Sequence, residues 1–356
     1  MEHEKLIKTL IEANKHLGDS DWMKKELKKF KLEVATEKID FKQVEKIAEK
    51  IKTFDEIKPF NFYEESHKLY PAINEANPSM TISYFLGTQS HQFGFWYDDG
   101  NKYLKPMTGI INGKEFRGSD YLMASSMRAL KEDPDFFLPA RMSTMELSDV
   151  KHWFRDDDGN VPMPQLEDHL RLAKGYGQKL VDDGLAPDEL VYMANAEEKP
   201  LKTFLELLDT IPGYMEDSLR KKSMLVSVVL SNRSEHFLEI KDSENLKPIV
   251  DYHLMRLALR TGMVKVYQHV EEELKDRVFM ADTEVDSIRL ATYLVFEKLS
   301  ELSGKDIPTV DSFAWSARHY CPQMEIPDCN SGACGLEDIC ERNYGLFQPI
   351  IRTTFY

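Results

Sequence analysis

Between Ile211 and Gly262 the chain reads Ile211-Pro212-Gly213-Tyr214, then Lys221-Lys222-Ser-Met-Leu-Val-Ser-Val-Val-Leu230, then Ile249-Val250-Asp251-Tyr252-His253-Leu254-Met255-Arg256, and it closes on Arg260-Thr261-Gly262. Proline followed by glycine between two apolar helical runs predicts a tight helix–hairpin–helix turn. Pro248 stands just ahead of Asp251, and Leu254, Leu257 and Ala258 follow it at helical spacing. That order puts Asp251 at a helix N-terminus, where a carboxylate accepts from free backbone N–H groups. On this pattern alone Asp251 is an N-cap.

Downstream, all four cysteines of the chain fall in one run, Cys321-PQMEIPD-Cys329-NSGA-Cys334-GLEDI-Cys340. Two disulfides, a zinc site and a four-thiolate iron–sulfur cluster are the readings that such a run allows. No window approaches 18 consecutive apolar residues, so no membrane span is expected. The opening MEHEKLIKTLIEANKHL alternates charged and apolar residues at helical spacing and lacks the apolar core of a signal peptide. A cytoplasmic, reducing location is therefore expected, where structural disulfides are uncommon. Zinc favours knuckles of closely paired cysteines. Gaps of seven, four and five residues suit a loop around a [4Fe-4S] cubane better, with zinc as the alternative.

The chain has 356 residues and a net charge of −15, from 61 acidic against 46 basic residues. Duplex binders gain affinity by neutralising phosphates, so this balance points to a small ligand ahead of a nucleic acid. Residues 1–57 read as helices with solvated charge runs. From Thr81 the pattern starts as helix and ends in the alternating aromatics Phe93, Phe95 and Tyr97. Asp99-Gly100 and Asn112-Gly113 are hairpin turns, so residues 93–118 form a small antiparallel sheet in an otherwise helical protein. A helix is expected over Ser119 to Asp133 and a solvated turn at Arg155-Asp-Asp-Asp-Gly-Asn160, whose register fails the calcium-loop pattern. Pro162-Met-Pro164 opens a periodic helix carrying Leu166, Leu170, Ala173, Leu180 and Val181, and Gly184 stops it.

Two resemblances give these features a common meaning. The hairpin, the lysine, Val250-Asp-Tyr-His253 and the cysteine run occur in the order found in helix–hairpin–helix base-excision glycosylases, and Cys334-GLEDI-Cys340 resembles the end of their [4Fe-4S] loop. The chain departs from them in lacking a second glycine after Pro212-Gly213 and in its first two cysteine gaps. Over roughly residues 60–300 the chain also resembles the queuosine salvage protein family. The segments that carry this are Phe93-Gly-Phe-Trp96, Phe116-Arg-Gly-Ser-Asp-Tyr-Leu-Met-Ala-Ser-Ser-Met-Arg-Ala-Leu130, Pro162-Met-Pro-Gln-Leu-Glu167, Arg220-Lys-Lys-Ser-Met-Leu-Val226, Val250-Asp-Tyr252 and Glu284-Val-Asp-Ser-Ile-Arg289. Gln89 and Gln92 stand where that family has an Asp and an Asn.

The resemblances imply a mainly α, helix–hairpin–helix glycosylase-like fold with a small β-hairpin element and a C-terminal four-cysteine cluster loop. The expected division is a helical lobe with the small sheet over 1–170, a catalytic lobe over 171–320, and the cluster loop and tail over 321–356. They imply hydrolysis of an N-glycosidic bond in a modified, 7-deazaguanine nucleotide of the queuosine type. The competing readings are a DNA or RNA glycosylase acting on a flipped base and a non-catalytic binder of a modified base. Breaking that bond builds positive charge on the sugar, which a fixed carboxylate stabilises; Asp251 is the expected catalytic group. Lys222 fills the neighbourhood of the glycosylase lyase lysine and is the second expected catalytic residue; the alternatives are a 5′-phosphate clamp formed with Arg220 or Lys221, or a surface lysine. Trp96, Phe95 and Tyr252 are expected to stack on the base. His67 and Asp217 are expected to complete the substrate pocket, and Cys321, Cys329, Cys334 and Cys340 to bind the metal.

Overall fold

A computed structural model describes residues 21–54, 69–73, 77–331 and 334–356. Fourteen α-helices are described: α1 (Asp21–Glu37), α2 (Phe41–Lys52), α3 (Pro78–Gln89), α4 (Ser119–Glu132), α5 (Pro139–Ser143), α6 (Leu147–Trp153), α7 (Leu166–Asp183), α8 (Pro187–Asn195), α9 (Pro200–Leu208), α10 (Lys221–Asn232), α11 (Tyr252–Thr261), α12 (Gln268–Asp276), α13 (Asp282–Ser303) and α14 (Ile307–Ser316). Four short strands lie between α3 and α4: β1 (Trp96–Asp98), β2 (Tyr103–Pro106), β3 (Thr108–Ile111) and β4 (Lys114–Arg117). The protein is mainly α, as its periodicity predicts.

Residues 93–118 hold two separate two-stranded antiparallel sheets instead of one. In the first, Trp96 faces Pro106; in the second, Thr108 faces Arg117 and Ile111 faces Lys114. Both expected hairpin turns form. Asn112 and Gly113 take positive φ, as a two-residue hairpin loop requires. The Asp157 carboxylate accepts from both of their amides, at 3.1 and 2.7 Å. Part of the acidic turn at 155–160 is thus docked on a hairpin. Alternation at Phe93 and Phe95 predicts a strand from residue 93, yet β1 starts only at Trp96. Gly94 sits at φ +80 and breaks the extended path, so Phe93 and Phe95 are both buried on an irregular segment.

Helix α3 carries the first part of the site. Asn77 caps it through Ser79 N at 3.0 Å, Pro78 opens it, and Thr81 through Gln89 are all buried. Gly184 ends α7 in the left-handed region, as expected, although α7 begins at Leu166, after the two prolines, and Val181 on the expected apolar stripe stays exposed. The tight hairpin at Pro212-Gly213 does not form as such. These residues lie in a longer connection over 209–220 between α9 and α10, with Gly213 at φ +98 and within 2.8 Å of Ser90 Cβ from any side chain it might carry.

Two cores organise the molecule. One is built from residues between Leu69 and Ile249; the other joins Ala35–Ile51 to residues from Val250 to Tyr356. Membership changes between Ile249 and Val250, immediately before Asp251. A smaller cluster of Tyr103, Phe347 and Ile350 ties the first hairpin to the last segment of the chain.

Candidate functional site

Asp251 begins α11 as its N-cap. Its Oδ1 accepts from His253 N at 2.8 Å and from Leu254 N at 3.2 Å. The sequence places it there for a local reason: a short polar side chain follows the extended segment at Pro248 and precedes an amphipathic turn. Both bonds fall on one oxygen, so Oδ2 has no hydrogen bond from the described residues. The carboxylate lines a cavity of about 360 Å³ where the two cores meet.

The cavity wall contains two further carboxyl groups, Asp120 and Asp311. Asp311 projects from α14, and its Oδ1 accepts from Ile249 N at 3.2 Å. Burial, reinforced by the negative charge of Asp251, pushes Asp311 up to about 8. Near pH 7 it is a neutral acid beside a carboxylate, a division of roles that acid–base catalysis exploits. Lys221, the first residue of α10, reaches the same cavity; burial pulls its pKa down and Asp251 pulls it back up. Phe95 and Tyr252 lend their rings to the wall, together with Trp315. Gln89 and Gln92 also face the cavity, and Gln89 Oε1 is buried with no partner.

A smaller cavity of about 220 Å³ shares the walls formed by Phe95, Tyr252 and His253. Arg117, Arg256 and Arg318 line it, against a single acid, Asp120. The Arg256 guanidinium is 2% exposed and donates to Gln348 Oε1 at 2.8 Å and His253 Nδ1 at 3.0 Å. Both acceptors are neutral: burial, then the surrounding arginines, holds His253 well below the usual histidine range. Among the described residues no carboxylate pairs with Arg256. A buried cation with only neutral partners favours an anion in the adjoining space.

Several expected site residues lie elsewhere. Trp96 packs between Tyr103 and Phe279, under the Arg352 guanidinium at 3.7 Å, and does not line the cavity. Lys222 points inward from α10; its Nζ donates to Ser90 O at 2.6 Å and lies over the Phe93 ring, and burial pulls it down to about 7. Asp217 is buried in a two-bond ion pair with Arg289, both contacts at 2.7 Å, and accepts from Leu219 N and Lys221 N. It holds α10 against α13. Arg220 is turned away onto Asp209. His67 lies outside the described residues.

The cysteines occupy the far end of α11. All four are free thiols and partly buried. Arg260 Nη1 approaches Cys321 Sγ at 3.3 Å, and the Arg342 amide approaches Cys340 Sγ at 3.3 Å. Burial pushes Cys340 up to about 11, and the other three thiols add to the rise. Thiols are the donor type that an iron–sulfur cluster takes, but among the described residues no group of three or more His, Cys, Asp or Glu side chains stands where it could hold a metal ion.

Residues 72–312 match the family model described as queuosine salvage protein. The chain belongs to the queuosine salvage protein family. A curated relative from Nematostella vectensis, named queuosine 5′-phosphate N-glycosylase/hydrolase, is 29% identical over 116 residues, spanning 33% of this chain and 31% of that relative. The queuosine salvage match takes in Lys221, Asp251 and Asp311, three of the ionisable groups that line the cavity. The cysteine run lies beyond the matched residues.

Sequence reasoning brought Asp251, Phe95 and Tyr252 to the cavity and missed Asp311. A signal for it exists in Pro308-Thr-Val-Asp311-Ser-Phe-Ala314, where an acid follows buried Val310 on a largely apolar helix. Nothing local tells such an acid from a solvated one.

Proposed function

We propose that this protein hydrolyses the N-glycosidic bond of a queuosine-like, 7-deazaguanine nucleoside 5′-monophosphate and releases the base for salvage. The observation that carries the reading is Asp251, a carboxylate fixed by two backbone N–H bonds at a cavity where another carboxyl group, Asp311, retains its proton. The base stacks against Phe95 and Tyr252, with the amides of Gln89 and Gln92 at hand for its polar edge. The sugar carbon lies toward Asp251. As its bond to the base nitrogen breaks, Asp251 stabilises the growing positive charge and accepts a proton from the incoming water. The water oxygen bonds to that carbon, and Asp311 supplies a proton to the departing base. Exchange with solvent then restores both carboxyl groups.

The three arginines of the smaller cavity suit the 5′-phosphate of such a nucleotide. Strand scission of the glycosylase–lyase kind finds no support in Lys222, whose amine is committed to Ser90 O away from the cavity. The order of the Pro212-Gly213 turn, Asp251 and the cysteine loop keeps a relationship to helix–hairpin–helix glycosylases within this reading. No described helix is long and apolar enough to cross a membrane; free thiols on all four cysteines suit a reducing cytoplasm.

The test is to incubate the full chain with queuosine 5′-monophosphate, queuosine, guanosine 5′-monophosphate and modified oligonucleotides, and to measure free base by mass spectrometry. Release from the modified monophosphate is expected. Release from oligonucleotides alone, or tight binding with no release from any member, would overturn the proposal.

A further inference from the structure

We infer that Tyr356 is a substrate-contacting residue, its phenol hydroxyl bonded to the ribose of the nucleotide held at Asp251. Tyr356 lines the larger cavity and not the arginine-lined one, which leaves it the sugar or the base to meet and not the phosphate. The side chain is 8% exposed, and its hydroxyl is buried with no hydrogen-bond partner among the described residues. A buried hydroxyl without a partner costs free energy, so the position favours a ligand that supplies one. Burial pushes the phenol up, against the pull of Arg289, so the hydroxyl keeps its proton and can donate.

One guanidinium ties Tyr356 to the backbone that carries Asp251. Arg289 of α13 lies over the Tyr356 ring at 4.6 Å and binds both oxygens of Asp217. Through Nε it also donates to Val250 O, the carbonyl just before Asp251, at 3.3 Å. Asp251 is near enough that its charge adds to the rise in the phenol. Contacts outside the cavity hold the segment that delivers Tyr356. Ile350 O accepts from Met280 N at 2.9 Å, while Arg352 donates to Asp98 Oδ2 at 2.9 Å and to Trp96 O at 3.0 Å. This segment lies beyond the residues matched to the queuosine salvage family. The ribose is favoured over the base because the proposed pose turns the sugar carbon toward Asp251 and stacks the base on Phe95 and Tyr252; the assignment rests on that reading.

The experiment compares the full chain with Tyr356→Phe, which keeps the ring over Arg289 and removes only the hydroxyl. Urea unfolding midpoints, calorimetric binding of ribose 5-phosphate and of inorganic phosphate, and base release from queuosine 5′-monophosphate are measured for both. The midpoint should be unchanged or higher in the variant, since an unpartnered buried group is lost. Ribose 5-phosphate binding should weaken by about three- to tenfold, while phosphate binding stays the same. A lowered midpoint would show that the hydroxyl already has a partner within the protein, and would overturn the assignment. Unaltered ribose 5-phosphate binding, an equal loss for phosphate, or no binding of ribose 5-phosphate by the wild type would overturn it too. If the wild type binds ribose 5-phosphate but releases no base, the glycosidase reading falls, and the variant still decides the sugar contact.

Discussion

At Asp251 one side chain does two jobs, and substitution can separate them. Asparagine caps helices about as well as aspartate, whereas alanine does not. Asp251→Asn should therefore unfold at nearly the wild-type temperature but release no base above background. Asp251→Ala should lose release and about 1 kcal/mol of stability as well. Undiminished turnover by the asparagine variant would remove Asp251 from the chemistry. Asp311 makes a prediction of the opposite kind, in pH. Its folded pKa of about 8 lies above the ordinary value of 3.8, so its favourable contribution is complete only in acid and is lost as pH rises from 3.8 through about 8. As proton donor it should also impose a fall in kcat above about pH 8. Asp311→Asn should lower kcat by roughly a hundredfold to ten-thousandfold and abolish that alkaline limb. It should also flatten the pH dependence of the unfolding midpoint over the same range. A retained limb in this variant would assign the titration to another group.

The elements around the site show which parts of it the sequence could disclose. Hairpin turns at Asp99-Gly100 and Asn112-Gly113, the stop at Gly184 and the cap at Asp251 are local chemistry, set by a few neighbouring residues, and all are legible in the sequence. The direction in which a side chain points is not local. Lys221 and Lys222 are adjacent on α10, about 100° apart around the helix axis; one faces the cavity and the other Ser90. Phe95 and Trp96 are divided in the same way across a chain of extended residues, and only packing against Tyr103 and Phe279 decides which is turned aside. Asp217 resembles a site acid because it follows the Pro212-Gly213 turn, but its partner Arg289 is remote in sequence. That pair fixes the start of α10, and with it Lys221. Removing one member of a buried ion pair strands the other charge, at a cost of about 3–5 kcal/mol. Asp217→Ala should thus lower the unfolding midpoint in urea strongly, and an Asp217→Ala/Arg289→Met double variant should recover a large part of the loss. A midpoint unchanged in the single variant would show that the pair does not hold α10.

At the scale of the whole molecule, the cavity exists because two cores meet. Residues 69–249 and the combination of residues 35–51 with residues 250–356 each bury their own apolar surface, and Asp251 stands where one gives way to the other. The protein carries a net charge of −15, yet Arg117, Arg256 and Arg318 converge on one small hollow next to Asp251. An acidic molecule repels polyanions at long range, so a concentrated basic hollow suits a single phosphate better than a strand of nucleic acid. Arg318 is the member best placed for a test. It stacks on Trp315 and reaches both cavities, whereas Arg256 is buried deeply enough that its loss would disturb α11. A hydrogen bond to a charged group contributes about 1.5–3 kcal/mol, which corresponds to roughly ten- to a hundredfold in affinity. Arg318→Gln should raise KM for the nucleoside 5′-monophosphate by about that factor and leave KM for the unphosphorylated nucleoside unchanged. The preference for monophosphate over nucleoside should also shrink with added salt in the wild type, and less so in the variant. Equal losses for both substrates would mean that Arg318 serves the base or the sugar, and that the phosphate lies elsewhere.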